Sequence, residues 1–135
     1  MTPAEMAQLH AESFTLPAPW SQAELQATIA SPFSFALIRP QAFLLAQVVA
    51  GEATLLTIAV APTARRLGLG RALVAEFLAQ SRQRQASSAF LEVAETNQAA
   101  RALYIAAGFT PTGRRKGYYC AAGQSVDAII MGRAL

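Results

Sequence analysis

A chain that runs from a β-branched strand through a pair of glycines into an amphipathic helix has few ways to fold. Residues 57 to 78, TIAVAPTARRLGLGRALVAEFL, make that passage. Thr57 to Val60 reads as a strand and Pro62 as a turn. Leu69, Leu73, Val74, Phe77 and Leu78 fall on one helical face, while Arg71, Glu76 and Gln80 lie largely off it. The helix therefore starts close to Gly68 and Gly70. A helix start carries unpaired N–H groups and partial positive charge, and glycine lets a bulky anion come close to the backbone. The spacing predicts a phosphate site at the head of this helix.

Two common phosphate loops are excluded by what is missing. A Walker loop needs a lysine directly after its last glycine, and the only lysine here is Lys116. A dinucleotide fingerprint needs a third glycine, and Leu73 stands in its place. A glycine pair that only turns strand into helix, with no ligand, is the bland alternative. The charge distribution favours the anion: ten of the 11 lysines and arginines lie from Arg65 onward, with Arg39 alone before them. Nucleic acid is not the expected partner, because the basic residues are not interleaved with aromatics along one groove and no helix-turn-helix or zinc pattern is present.

At 135 residues, with 53% hydrophobic and 14% charged side chains, the chain predicts a single domain over residues 1 to 135 with a proper core. No apolar run approaches the roughly 18 residues of a membrane helix, and Met1-Thr2-Pro3-Ala4-Glu5 lacks a positive n-region. The expectation is a soluble cytoplasmic protein with no membrane partner. Cys120 can make no internal disulfide and reads as a loop thiol. His10 reads as a surface residue on the first helix, and the two offer no usual metal spacing.

Along the chain, a helix is predicted from Ala4 to Phe14. Ser21 with Glu24 forms a capping box for a second helix from Gln22 to about Ala30. Trp20, just before that cap, reads either as a hydrophobic staple or as a wall of a substrate entrance. Phe33 to Ile38, Ala42 to Val49 and Ala53 to Val60 read as antiparallel strands. After the glycine-headed helix, residues 89 to 93 (Ala-Phe-Leu-Glu-Val) should return parallel to Thr57 to Val60. Asn97 opens a helix with Ala100, Leu103, Tyr104 and Ala107 on one face. Phe109 to Thr112 and Val126 to Met131 then make a last strand pair, joined by a long segment containing Arg114 to Tyr119. The result is a mixed α/β fold: antiparallel N-terminal strands, a central βαβ crossover and a C-terminal strand pair.

Glu92 interrupts an otherwise apolar strand. Two readings stand: period-2 alternation exposes it, or a central strand covered on both faces buries it. A buried carboxylate without a partner costs several kcal/mol, so the second reading marks a general-base candidate.

Arg65-Arg66-Leu67-Gly68-Leu69-Gly70 resembles the Arg/Gln-x-x-Gly-x-Gly/Ala loop with which GNAT N-acetyltransferases hold the pyrophosphate of acetyl-CoA. Leu91-Glu92-Val93, Asn97, Ala102-Leu-Tyr104, Ala107-Gly108-Phe109, the Arg114-Arg115 pair with Tyr118-Tyr119, and Asp127 to Met131 are similar to the bacterial ribosomal-protein alanine N-acetyltransferases, the RimI type. The Ala18-Pro-Trp20-Ser21 turn is similar too, and the likeness runs from about Thr15 onward. Two departures stand out: the family's first edge strand has no room before Ala4, and the segment around Lys116-Gly117 is one residue longer than the family pattern.

The resemblance implies acetyl-CoA as co-substrate, no metal, and a protein N-terminus as acceptor, with a ribosomal alanine first. A monomer or weak dimer is expected. It makes Glu92 the base and Tyr104 the acid. It gives the backbone of Ile58, Ala59 and Val60 to the pantetheine arm, Arg65, Arg66, Leu67, Gly68, Leu69, Gly70 and Arg71 to the pyrophosphate, and Asn97 and Tyr104 to the arm near the thioester. Trp20, Tyr118 and Tyr119 fall on the acceptor side. The alternatives are acetylation of a small-molecule amine by the same machinery, and a non-catalytic acyl-CoA-binding subunit.

Overall fold

The computed structural model describes residues 1 to 13, 19 to 65, 67 to 121 and 123 to 135. Helices α1 (Pro3–Ser13) and α2 (Gln22–Ala30) lead into strands β1 (Ser34–Arg39), β2 (Ala42–Val49) and β3 (Glu52–Val60). Helix α3 (Leu69–Gln83), strand β4 (Ser88–Ala94), helix α4 (Gln98–Ala106) and strands β5 (Thr110–Ala121) and β6 (Gln124–Ala134) follow. The sheet order is β1-β2-β3-β4-β6-β5, and every neighbouring pair is antiparallel except β3 and β4. Antiparallel start, central crossover and closing pair are as expected. Among the described residues no strand precedes α1, so β1 forms one edge.

The helix ends follow their sequence signals. Ser21 Oγ accepts the Glu24 N–H at 3.1 Å while Glu24 Oε1 accepts the Ser21 N–H at 3.1 Å, satisfying two end donors reciprocally. Trp20 packs in the same apolar cluster as Leu25, as a staple would. Asn97 Oδ1 accepts the Ala100 N–H at 3.1 Å and caps α4.

Two apolar cores lie on opposite faces of the sheet. Leu44, Ala46, Leu55 and Leu91 meet Leu73, Val74 and Phe77 of α3 and Tyr104 of α4 on one face. Phe43, Leu45 and Ala59 meet Met6 and Leu9 of α1 and Leu25 of α2 on the other. Strand β2 feeds both, which is why residues 42 to 46 are apolar without interruption. The Arg39–Glu76 ion pair ties the end of β1 to α3.

The functional geometry begins at a bulge in β3. Leu45 stands opposite Thr57 but Ala46 stands opposite Leu55, which leaves Leu56 as an extra residue. The insertion reverses the alternation: Leu55 packs in the α3 core, yet Ala59 belongs to the α1 core, and Thr57 bonds to α1. A bulge bends and twists its strand. Pairing of β3 with β4 stops there, running from Glu52↔Ser88 to Leu55↔Leu91. The parallel partner of β4 is thus Glu52 to Leu55, and not Thr57 to Val60 as the crossover pattern predicted.

A second irregularity shapes β5. Arg114 to Tyr119, expected as a connecting segment, lie within the strand, and Cys120 is an exposed strand residue and not a loop thiol. Arg115 pairs with Ala128 and Tyr119 with Val126, so Lys116, Gly117 and Tyr118 stand opposite Asp127 alone. Gly117 takes a φ of 58° there, a conformation natural to glycine. Its N–H donates to Asp127 Oδ1 at 2.8 Å, and Arg114 Nη1 donates to Oδ2 at 2.7 Å. Those bonds hold the carboxyl of Asp127 below its ordinary range, with the Gly117 bond contributing most.

Candidate active site

Where β3 and β4 part, a cavity of about 580 Å³ opens between them. Thr57 and Ile58 line one side, Glu92 and Asn97 the other. Tyr104 lies within, and Trp20, Arg115, Tyr118 and Tyr119 stand around it.

Along β4 the side chains alternate, with Leu91 and Val93 buried and Glu92 on the other face. Glu92 is exposed, its side chain keeping 30% of its surface open, and its Oε1 lies 2.9 Å from Arg115 Nε. Of the two readings of Glu92 the exposed one holds, and the buried carboxylate is corrected. The second face of this central strand is covered by an open wedge and not by a helix, so water and a guanidinium meet the charge. Arg115 also lies 5.2 Å from the centre of the Tyr118 ring, which stands edge-on to Tyr119.

Tyr104 is 5% exposed and packs edge-to-face on Phe109. Burial, and then the neighbouring Tyr119, push its phenol above the ordinary range. Tyr119 is itself pushed up to about 12, mainly by burial and next by the charge of Glu92. Both rings keep their protons at neutral pH.

His10 corrects a further expectation: it is buried, 1% exposed, on the inner face of α1. The Trp20 N–H lies 3.1 Å from its Nδ1 and Thr57 Oγ1 lies 2.8 Å from its Nε2. A backbone N–H can only donate, so Nδ1 is the acceptor and Nε2 carries the proton that goes to Thr57. Burial lowers the imidazole to about 4, with Glu24 opposing. His10 is neutral at working pH.

The glycine loop lies apart from this cavity, at the head of α3. Gly68 occupies the cap with a φ of 79° and no side-chain bond. Among the described residues nothing lies within 4 Å of where its Cβ would be, whereas a Cβ on Gly70 would stand 3.3 Å from Leu103 Cδ2 of α4. The cap residue thus offers no side chain to the first-turn N–H groups. Arg65, Leu67 and Arg71 are exposed and Leu69 is half-buried, while Arg66 lies outside the described residues. Of the three strand residues expected at a cofactor arm, Ile58 lines the cavity, and the side chains of Ala59 and Val60 turn into the two cores. The Val60 carbonyl accepts from Ser13 Oγ at 3.3 Å. Among the described residues no group of three or more His, Cys, Asp or Glu side chains could hold a metal ion, and no helix is long and apolar enough to cross a membrane.

Glu92, Asn97, Tyr104, Trp20, Tyr118 and Tyr119 therefore share one cavity, and the glycine loop at the head of α3 is not part of its lining. His10 and Thr57 were missed. Met6, Leu9 and His10 sit at i, i+3 and i+4, a spacing that places His10 on the buried face.

The chain belongs to the acetyltransferase (GNAT) family, whose model matches residues 4–109. Within that class it is 44% identical over 90 residues to the ribosomal protein bS18 alanine N-acetyltransferase of Escherichia coli. The match takes in 67% of this chain and 61% of that protein, so the chain spans less than two thirds of this relative. The Haemophilus influenzae enzyme of the same name is 37% identical over 90 residues, covering 66% of this chain and 61% of its own. The crystal structure of the ribosomal-protein alanine N-acetyltransferase from Escherichia coli superposes with a TM-score of 0.88 at 32% identity, over 98% of this chain and 86% of that one.

Proposed function

We propose that this chain transfers an acetyl group from acetyl-CoA to the α-amine of a protein N-terminus, with a ribosomal protein beginning in alanine as acceptor. The observation that carries the reading is that Glu92 and Tyr104 face one cavity opened by the parting of β3 and β4. The names of the bacterial relatives support the acceptor class. Cytoplasmic residence fits the same acceptor.

The residues present fit the cofactor. Beyond Leu55 the β4-facing edge of β3 is released from pairing and offers backbone groups to a peptide-like arm. The uncapped head of α3 offers N–H donors to an anion, and Arg65 and Arg71 add charge beside it. Bound there, acetyl-CoA supplies an activated acetyl thioester. Asn97, whose side chain already caps α4, presents its remaining polar capacity to the same cavity.

A terminal α-amine has a pKa of about 7.7 to 8.0, so it arrives mostly as an ammonium and must lose a proton before it can attack. Glu92, open to water at the cavity edge, takes that proton directly or through one water. Arg115 orients the carboxylate. Tyr104 offers a phenol hydrogen to the departing sulfur. A thiol, at about 8.5, is a stronger acid than this phenol, so full transfer from Tyr104 is uphill and its hydrogen bond is the main contribution.

The test is thiol release from acetyl-CoA with an alanine-starting peptide, with mass spectrometry to locate the acetyl group. The α-amine should carry it, and a peptide with a blocked α-amine but free lysines should remain unmodified. Glu92→Gln should lower kcat by roughly 10² to 10⁴ with the cofactor KM unchanged. Acetyl on lysine would overturn the acceptor assignment, and wild-type kcat in the variant would remove Glu92 from the chemistry.

A further inference from the structure

His10 is a buried bifunctional side chain for which the acetyl-transfer chemistry has no use. Its imidazole joins three segments: α1, which carries it; the residue before the α2 cap, through the Trp20 N–H; and β3 just past its bulge, through Thr57 Oγ1. His10, Trp20 and Thr57 all line the cavity, and Trp20 packs on the cluster formed by α1 and α2. Behind the imidazole lie Phe43, whose ring centre is 6.3 Å away, and the packed Met6, Leu9 and Leu25. A close-packed backing leaves the ring nowhere to retreat. Trp20, 6.2 Å from His10 ring to ring, is held against the same cluster.

We propose that His10 is the pin that fixes Trp20 against Thr57 and thereby sets the size of the first side chain the cavity admits. This deepens the N-terminal acetyltransferase reading and rests on it. With the amine directed to Glu92, the first side chain of the acceptor is left facing the His10–Trp20 wall. A wall that can move by an ångström or two accepts leucine as readily as alanine; a pinned one rejects it. The pin requires a group that accepts from a backbone N–H and donates to a hydroxyl at once, and a neutral imidazole does both. Its low basicity keeps the acceptor lone pair on Nδ1 available at working pH.

Two variants separate pinning from packing. His10→Leu keeps apolar bulk and removes both bonds, whereas His10→Gln offers an oxygen to Trp20 and an N–H to Thr57. Two peptides differing only in alanine or leucine at the first position give the selectivity. His10→Leu should cut the alanine-over-leucine ratio in kcat/KM by roughly tenfold or more, through acceptor KM, with cofactor KM unchanged. His10→Gln should retain most of the ratio. Trp20 is the only tryptophan in the chain, so its fluorescence reads the wall without any acceptor. Acrylamide quenching should rise in His10→Leu and stay near wild type in His10→Gln.

A folded His10→Leu protein with wild-type selectivity and wild-type quenching overturns the pin. Should His10→Leu fail to fold, Thr57→Val removes only the acceptor oxygen on β3 and must loosen the wall in both readouts, or the proposal falls. A wild-type protein that acetylates no N-terminal peptide defeats the acceptor reading alone. The quenching comparison then still decides for or against His10 as the pin.

Discussion

Two ionisable side chains line the same cavity in opposite circumstances. Glu92 is solvated and ion-paired, whereas His10 is dry and neutral. The difference has a pH signature. His10 falls from an ordinary 6.5 to about 4 on folding, so the unfolded chain binds its proton first. The stability this confers is fully present above pH 6.5 and is lost as pH falls through 4. Its size is up to about 3 kcal/mol. Urea midpoints taken between pH 7.5 and 4.5 should therefore drop more steeply for wild type than for His10→Gln; parallel slopes would mean that the imidazole is solvated. Neither environment was legible from residue identity alone. The i, i+3, i+4 spacing with Met6 and Leu9 did mark the face of His10, but a histidine on a short N-terminal helix reads as surface until its partner on β3 is known. For Glu92 the alternation was readable, and what misled was the rule that a central strand is covered on both sides.

The elements around the site work through their ends and irregularities. At the head of α3, Gly68 and Gly70 serve for different reasons. A side chain on Gly68 meets no neighbour among the described residues but must adopt a φ of 79°, at a strain of about 1 to 2 kcal/mol. A side chain on Gly70 presses on Leu103, one residue from Tyr104. Gly68→Val should raise the cofactor KM with kcat little changed, and Gly70→Val should disturb both; steady-state kinetics at saturating acceptor distinguish the two. From β6, Asp127 clamps the three-residue bulge of β5 that aims Arg115 and Tyr118. Asp127→Ala should raise the acceptor KM several-fold, while Asp127→Asn, which still accepts the Gly117 N–H, should lie between it and wild type. An acceptor KM equal to wild type in Asp127→Ala would show that the bulge holds itself. The caps and the strands before the bulge were legible because their signals are local. The Ser21–Glu24 box and the Asn97 cap appear where the spacing put them. The β5 bulge was not, since Lys116-Gly117 in a polar run reads as a loop until Asp127, ten residues on, supplies the clamp.

At the scale of the whole molecule the sheet is two blocks, β1-β2-β3 and β4-β6-β5, joined by parallel pairing over Glu52 to Leu55 and by the helices on either face. The strand order follows from short connections and a single crossover, both visible in the sequence. The gap does not. It depends on one extra residue, Leu56, in the register between β2 and β3, and an apolar run gives no sign of where a bulge will fall. Backbone N–H groups of residues 56 to 60 that point toward β4 should exchange with solvent faster than those of Ala53 to Leu55. Added acetyl-CoA should slow them. Equal exchange with and without the cofactor would place its arm elsewhere.

The open seam also ties endurance to supply. A compound that completes the ladder is, in thermodynamic terms, a missing strand contributed from solution, and free cofactor at a hundredfold over its Kd adds about 2.7 kcal/mol to the folded state. Melting temperature should then climb with acetyl-CoA concentration, and protein short of the cofactor should be the first to unfold.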